Sequence, residues 1–381
     1  MATTLHSQSD PRAFQAYCNE GHERALSLGN RGPLRFTSNG AVDPKIMEGF
    51  ARHGFYVLED VISPQELAEL EADYCDILDR APVTPDAATD AHGRPALGLG
   101  LAIPAFNWAK PLSDPSGGTA QLDGRHPVRM FEPAPAANLP GQTVQTILGP
   151  LQHSDAFLRL YGHPGLLALA AAINGEDFVP FQEGIIIKRP GEGKSFAWHQ
   201  DGITHWNAPG FTPVSHGINI MVQLYGSTAA NGVWFLPGSQ HGSADIAALA
   251  ERAGGTCLPD AVPLVCNPGD VAIANRQVLH GSFANTSPDP RVTLSMGFQP
   301  RASVLGVTGY VWTPDEPSLY DEAYVARRAE VLGYAIDARS RHFPDEQPYA
   351  YQPHADAGLH FRWNESARSA IRDYNRFDIR I

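Results

Sequence analysis

Apolar residues follow a helical period in the first part of the chain and a strand period in the middle. Residues 45–53 predict a helix, and Gly54 separates it from the run Phe55-Tyr56-Val57-Leu58, which predicts a strand. Ser63-Pro64-Gln65-Glu66 follows, with a hydroxyl at the N-cap, proline at the first helical position and glutamate at the third, a capping-box arrangement. Leu67, Leu70, Tyr74, Ile77 and Leu78 continue at helical spacing to about Arg80. Residues 81–150 are rich in Pro, Gly and Ala and predict an irregular insertion rather than a separate domain. Residues 156–173 predict a helix broken in two at Pro164-Gly165.

From Phe181 to Phe298 the texture changes to short β-type runs separated by turn signals. The runs are 185–187, 218–224, 233–236, 271–274 and 291–298. Strands at this spacing predict a mainly β chain with flanking helices, folded as an antiparallel sandwich or barrel. The tail predicts one helix over about 318–332 and leaves its aromatic-rich end without an assigned element. The organisation expected is an N-terminal extension over 1–42, one domain over 43–305 carrying the insertion at about 81–150, and a C-terminal extension over 306–381 packed on that domain.

Composition narrows the function. The 381 residues suffice for one large domain or two ordinary ones, and 43% hydrophobic content supplies a real core. A net charge of −13 argues against a surface built for nucleic acid or anionic membrane, so an anionic ligand needs a local positive site. No apolar run is long enough to span a bilayer, and Met1–Asp10 lacks the pattern of a secretory signal. Cys18, Cys75, Cys257 and Cys266 are scattered, with no CxxC pair, which argues against a disulfide framework or a cysteine-type zinc site. A soluble, cytoplasmic protein is expected; the sequence does not give an oligomeric state.

The sharpest local feature is Trp198-His199-Gln200-Asp201. Residues two apart on a strand share a face, so His199 and Asp201 can aim an imidazole and a carboxylate at one ion. His280, just past the strand 271–274, is the best third ligand. Two histidines and one carboxylate leave half a coordination sphere open, the donor set of non-haem Fe(II) sites that must admit dioxygen and a second molecule. An HxD triplet arises easily by chance among 15 histidines and 41 acidic residues, so it needs support. Arg291, eleven residues after His280 at a strand start, supplies it: a guanidinium binds a carboxylate bidentately, and Ser282 can add a hydroxyl to the same carboxylate.

Trp198-His199-Gln200-Asp201, the run Asn231-Gly232 to Pro237-Gly238-Ser239-Gln240-His241, Pro268-Gly269-Asp270, and His280 with Ser282 and Arg291 together resemble the phytanoyl-CoA dioxygenase family of Fe(II)/2-oxoglutarate-dependent oxygenases. The segment from Gly54 to Leu67 is similar to that family's opening strand and helix. The likeness covers about 45–80 and 180–300. It implies a double-stranded β-helix, or cupin-like jelly roll, with helices outside. It also implies Fe(II) and 2-oxoglutarate, with O2 and 2-oxoglutarate converted to CO2 and succinate while an unactivated C–H is hydroxylated. Gln182 and Lys188 match, by offset from the first histidine, cosubstrate-site positions of the ectoine hydroxylases. An Asn expected four residues after that Gln is Ile186 here, which sets the ectoine substrate in doubt. Halogenating relatives carry Gly or Ala where Asp201 stands, so the resemblance favours hydroxylation.

Other positions are open. Asn219, Met221 and Gln223 share a face opposite Ile218, Ile220 and Val222; Asn219 and Gln223 either line the pocket or face solvent. His205 and Trp206 are candidates for the mouth of the site. Trp198 and Trp234 are expected to pack in the core, and His153, His216, His241, His354 and His360 to be surface or structural residues. Two other readings compete: a jelly-roll binding protein without turnover, and a cupin-type metalloenzyme that uses no oxoacid.

Overall fold

The computed structural model describes residues 10–201, 217–309 and 318–379. In chain order it contains α1 (Pro11–Ser27), β1 (Arg31–Pro33), α2 (Pro44–His53), β2 (Phe55–Glu59), α3 (Pro64–Asp79), β3 (Phe106–Ala109) and β4 (Thr143–Leu148). Then follow α4 (Asp155–Tyr161), α5 (Pro164–Asn174), β5 (Val179–Lys188), β6 (Phe196–His199), β7 (Ile218–Gln223), β8 (Trp234–Phe235) and α6 (Ile246–Ala253). Next come β9 (Val262–Pro263), β10 (Val271–Asn275), β11 (His280–Ser282), β12 (Arg291–Gln299), β13 (Thr308–Gly309), β14 (Ser318–Leu319), α7 (Glu322–His342), α8 (Gln352–Asp356) and α9 (Glu365–Ala370).

Two sheets form the scaffold. The larger has the order β1-β2-β10-β7-β12-β5-β4-β3 and the smaller β6-β11-β8-β9. All pairings are antiparallel except β1 with β2. This is the jelly-roll plan, and the larger sheet stays open, with β1 and β3 at its edges.

Strand alternation decides what lies on each face. Ile218, Ile220 and Val222 of β7, with Val292, Leu294, Met296 and Phe298 of β12 and Ile185 and Ile187 of β5, enter one large core. That core also takes Leu70 of α3, Leu158 of α4, Leu169 of α5 and Leu332 of α7, so helices cover this face. The other face looks toward the small sheet. There Phe55 and Val57 meet Phe235, with the Phe55 and Phe235 rings stacked at 4.5 Å. The polar row of β7 and β12 therefore points between the sheets, not into solvent.

Local signals act as the sequence suggests, with instructive departures. Asp43 caps α2 by accepting from Lys45, and Gly54 ends it at φ 81, a left-handed position that suits glycine. Ser63 caps α3 by accepting from the Glu66 amide at 3.2 Å. The Glu66 carboxylate, however, does not complete a capping box as its partner of choice: it is buried and takes a 2.7 Å hydrogen bond from Arg339 of α7. The 156–173 helix breaks as expected, between α4 and α5, where His163 and Pro164 start the new helix. The polar start of the chain contains α1, whose Tyr17 stacks on Trp234 at 4.5 Å. The tail helix runs ten residues beyond the expected Leu332, to His342. No single described helix is long and apolar enough to cross a membrane.

Candidate active site

His199 is the last residue of β6, and its ladder partner is His280, the first residue of β11. The ladder alone thus brings together two imidazoles 81 positions apart in sequence, with ring centroids 4.1 Å apart. Asp201 lies in the turn after β6, held there by its amide donating to the Arg276 carbonyl at 2.8 Å. The reading of 199–201 as one strand is thereby corrected: the turn, not the two-residue pleat, aims the carboxylate. One ligand atom from each of His199, Asp201 and His280 lies within 4.8 Å of the others.

The orientation of the rings is fixed from behind. Nδ1 of His199 lies 2.8 Å from the Ala197 carbonyl, and Nδ1 of His280 lies 2.9 Å from that of Val278. A carbonyl can only accept, so each Nδ1 carries the proton and each Nε2 lone pair faces inward. These Nε2 atoms lie 3.6 Å and 3.9 Å from Oδ1 and Oδ2 of Asp201. Burial pushes the basicity of both rings down: His199 goes well below the usual value, helped by His280 and Arg125, and His280 falls to about 4. Neutral imidazole is the metal-binding form.

Three further residues shape this corner. Asn219 donates from Nδ2 to Asp201 Oδ2 at 2.9 Å. Arg125, from the irregular segment, forms an ion pair with Oδ1 of the same carboxylate. His126 packs on His199 with centroids 4.5 Å apart.

A cavity of about 320 Å³ opens from the three ligands. Arg291 lines it, at the start of β12 and 2% exposed. Its Nε and Nη1 find no hydrogen-bond partner among the described residues. Burial lowers its pKa only to about 10, so it stays a cation at neutral pH. Ser282 lines the cavity too, and its Oγ accepts from Lys188 Nζ at 2.9 Å, leaving its own proton for a ligand. Lys188 pairs with Arg291 in the ladder and is 0% exposed. Burial, and then Arg291, push its pKa well below the ordinary lysine value.

The remaining sequence candidates fall in different places. Gln182 and Asn219 lie on the cavity wall. Lys188 sits behind Ser282 rather than on the wall, and Gln223 is fully buried with its Oε1 accepting from Thr293 Oγ1 at 2.9 Å. His205, Trp206 and His216 lie outside the described residues. Trp198 and Trp234 are buried, with their indole N–H groups on the carbonyls of Thr256 and Ala229. Sequence reading missed Arg125, His126 and Arg276. The first two sit in a segment without periodicity, and Arg276 carries no spacing signal of its own, although it lies four residues before His280.

Two inward imidazoles and a carboxylate between the sheets of a jelly roll make the donor set of non-haem iron oxygenases. Comparison with known proteins gives the family likeness: residues 132–293 match the phytanoyl-CoA dioxygenase (PhyH) family model, in agreement with the motifs. A 2-aminoethylphosphonate dioxygenase from the uncultured bacterium HF130_AEPn_1 is 34% identical over 134 residues, 33% of this chain and 47% of that protein. Dioxygenase lolE1 of Epichloe uncinata is 32% identical over 164 residues, 42% of this chain and 57% of that protein. The chain thus spans about half the length of these relatives. Among solved structures, EctD from S. alaskensis with 2-oxoglutarate and 5-hydroxyectoine is 20% identical with a TM-score of 0.49, covering 72% of this chain and 82% of that one. AviO1 from Streptomyces viridochromogenes Tue57 is 21% identical with a TM-score of 0.45, covering 67% and 94%.

Proposed function

We propose that the protein is an Fe(II)- and 2-oxoglutarate-dependent dioxygenase that hydroxylates an unactivated C–H bond of a small molecule. One observation carries the reading: a buried guanidinium, Arg291, lines the same cavity as a convergent His-Asp-His set and has Nε and Nη1 unmatched among the described residues. A buried cation costs several kcal/mol unless it is paired, so the site is built for an anion that arrives from solution. A dicarboxylate able to reach a metal with its other end fits both features.

In this reading His199, Asp201 and His280 hold the iron, and Arg291 with the Ser282 hydroxyl takes the far carboxylate of 2-oxoglutarate. Lys188 holds Ser282 in place, Gln182 contributes at the wall, and Asn219 orients Asp201. Gln223 supports Thr293 from within the sheet. His205 and Trp206 remain assigned to the substrate side on sequence alone. Bound there, iron supplies reductive activation of dioxygen, coupled to the conversion of 2-oxoglutarate to succinate and CO2 and to insertion of oxygen into the substrate C–H bond. The chain's own residues bind, orient and exclude water; the reaction asks none of them to act as a covalent nucleophile. The dioxygenase names of the two relatives, one of them acting on 2-aminoethylphosphonate, favour the same class of activity. We further place the protein in the cytoplasm, where its four free cysteines stay reduced.

The test is succinate formation from 2-oxoglutarate by purified protein with and without Fe(II). Iron-dependent succinate release, lost in Asp201→Ala and Arg291→Ala, is the expected result. Reconstituted protein that fails to bind 2-oxoglutarate, or Asp201→Ala with undiminished turnover, defeats the proposal. Undiminished succinate release in Arg291→Ala removes Arg291 from the cosubstrate site, whereas a metal-dependent activity that yields no succinate and survives Arg291→Ala points to a metalloenzyme that needs no oxoacid.

A further inference from the structure

Strand register gives the cavity a floor as well as a metal corner. Thr146 and Leu148 of β4 pair with Ile186 and Gly184 of β5, and Gly184 pairs in turn with Ser295 of β12. Ladder partners, and residues two apart on one strand, share a face of the sheet. All of these residues therefore look toward the small sheet, and all line the cavity. Gly184 brings no side chain, so its place stays open. A Cβ there would stand 3.4 Å from the Thr146 methyl and 3.9 Å from Leu148, with Ser295 as its ladder partner on the other flank. Two hydroxyl-bearing residues thus border one gap.

Among the described residues, the half-buried Thr146 and Ser295 side chains make no hydrogen bond. Thr293, two residues before Ser295 on the same face, differs: its Oγ1 donates to Gln223 Oε1 at 2.9 Å. The floor therefore keeps two hydroxyls that the protein itself does not use.

Charged groups on the wall, by contrast, are committed. Glu183 accepts from Arg328 and Tyr374, and Asp201 is held by Asn219 and Arg125. Arg276 is engaged too, and stacks on the Phe181 ring at 4.4 Å from its centroid. Arg291 is taken by 2-oxoglutarate in the dioxygenase reading. A substrate ion laid on this floor would lose its water and find no uncommitted counter-charge among the described residues, which is costly. An uncharged oxygen loses less and gains partners, because a hydroxyl both donates and accepts. Leu148, Ile186 and Met221, the last paired with Ser295, supply apolar contact around the two hydroxyls.

We propose that the prime substrate is an uncharged molecule with an apolar ring or chain, which presents hydroxyl or carbonyl oxygens to Ser295 and Thr146 on this floor. Ser295 stands four residues past Arg291 on the same face of β12, about 14 Å of strand, so the floor extends beyond the cosubstrate anchor. The inference rests on the dioxygenase reading, which puts 2-oxoglutarate at Arg291 and leaves the floor to the other reactant. Ser295 and Thr146 are then specificity-determining residues that fix which C–H faces the metal.

The test is saturation-transfer NMR on protein loaded with Zn(II), which does not turn over, and saturating 2-oxoglutarate. The probes are cyclohexane-1,4-diol, 4-hydroxycyclohexanecarboxylate and 4-aminocyclohexanol, which share a ring and differ in the charge of one group. The diol should bind, and the anion and the cation should bind about tenfold more weakly. Ser295→Ala and the isosteric Thr146→Val should each weaken diol binding about three- to tenfold, the worth of one neutral hydrogen bond. Both variants should hold 2-oxoglutarate within about twofold of the unaltered protein. Should a variant not fold, the methyl resonance of Met221 in the unaltered protein replaces it, and should shift on addition of the diol. Anion or cation binding as tight as that of the diol overturns the proposal, as does unchanged diol binding in either variant. No diol binding up to its solubility limit, or no shift at Met221, overturns it as well. Loss of 2-oxoglutarate affinity in Ser295→Ala also does so, because it moves Ser295 to the cosubstrate site; all of these leave the dioxygenase reading intact. Failure of the unaltered protein to bind 2-oxoglutarate overturns both.

Discussion

Asn219 donates a hydrogen bond to Asp201 at 2.9 Å, on Oδ2, the oxygen nearer His280. Two chain segments 18 residues apart are thereby locked together, and the carboxylate that ends a turn gains the rigidity of β7. Partners of this kind tune metal affinity by orienting the ligand. Asn219→Leu should therefore keep the fold and lower divalent metal affinity by about 10- to 100-fold. Titration with Co(II), followed by its visible absorption, reads the change directly. Unaltered affinity would show that Asp201 needs no help from β7.

Arg291 offers a test that needs no turnover. With Nε and Nη1 unmatched among the described residues, the buried Arg291 charge destabilises the ligand-free fold, so Arg291→Met should raise the unfolding free energy of the free protein by about 1–2 kcal/mol. The same variant should lose the rise in thermal midpoint that 2-oxoglutarate gives the unaltered protein, because ligands that bind only the native state stabilise it by mass action. A variant less stable than its parent, yet still stabilised by 2-oxoglutarate, would refute the assignment.

Arg328 is the opposite case, a buried cation with partners. It is 0% exposed, and its Nε donates to Asp378 at 2.8 Å while Nη2 reaches Glu183, which also accepts from Tyr374. This network fastens the end of the chain beside β5, and Ile379 lines the cavity as a result. Arg328→Met leaves two carboxylates buried around one empty place and should cost about 3–5 kcal/mol in chemical denaturation. The double variant that also carries Glu183→Gln should recover part of that loss, which separates charge burial from lost packing.

These residues also show what a sequence makes legible. The period-two pattern of 218–224 and 291–298 fixes which side chains enter the core, and a capped helix start such as Ser63-Pro64 is a local signal readable in four letters. His199, His280 and Arg291 are visible because β strands tie their spacing to their direction, whereas Asp201 is visible by its place two residues after His199 although a turn aims it. Arg125 and Arg276 are not: each is placed by a non-local path through irregular backbone, so spacing carries no information about where it points. Glu66 is instructive in the same way. Its helical position predicts a local cap, but Arg339, 273 residues later, offers a stronger charged partner. The helix α1 escapes notice because its apolar positions are few, and Trp234 and neighbouring strands supply the surface it buries against.

His163 gives the fold a defined response to acid. Its Nδ1 accepts from the Leu166 amide at 3.3 Å and so caps α5, a role open only to the unprotonated nitrogen. Burial, then Arg339, lowers its pKa to about 3, and burial first of all lowers those of His153 and His354 to about 4. A histidine whose pKa is depressed by folding stays neutral in the native state while the unfolded chain takes up a proton near pH 6.5. Its contribution is complete above that pH and declines steadily as the pH falls toward the native value. Urea midpoints should therefore be flat from pH 8 to about 7 and drop between about pH 6.5 and 4. His163→Asn keeps an N-cap acceptor without a titrating ring, so its midpoint should fall less over the same interval. An identical slope in His163→Asn would assign the acid sensitivity to the other buried histidines and to carboxylates, and would remove His163 from the account.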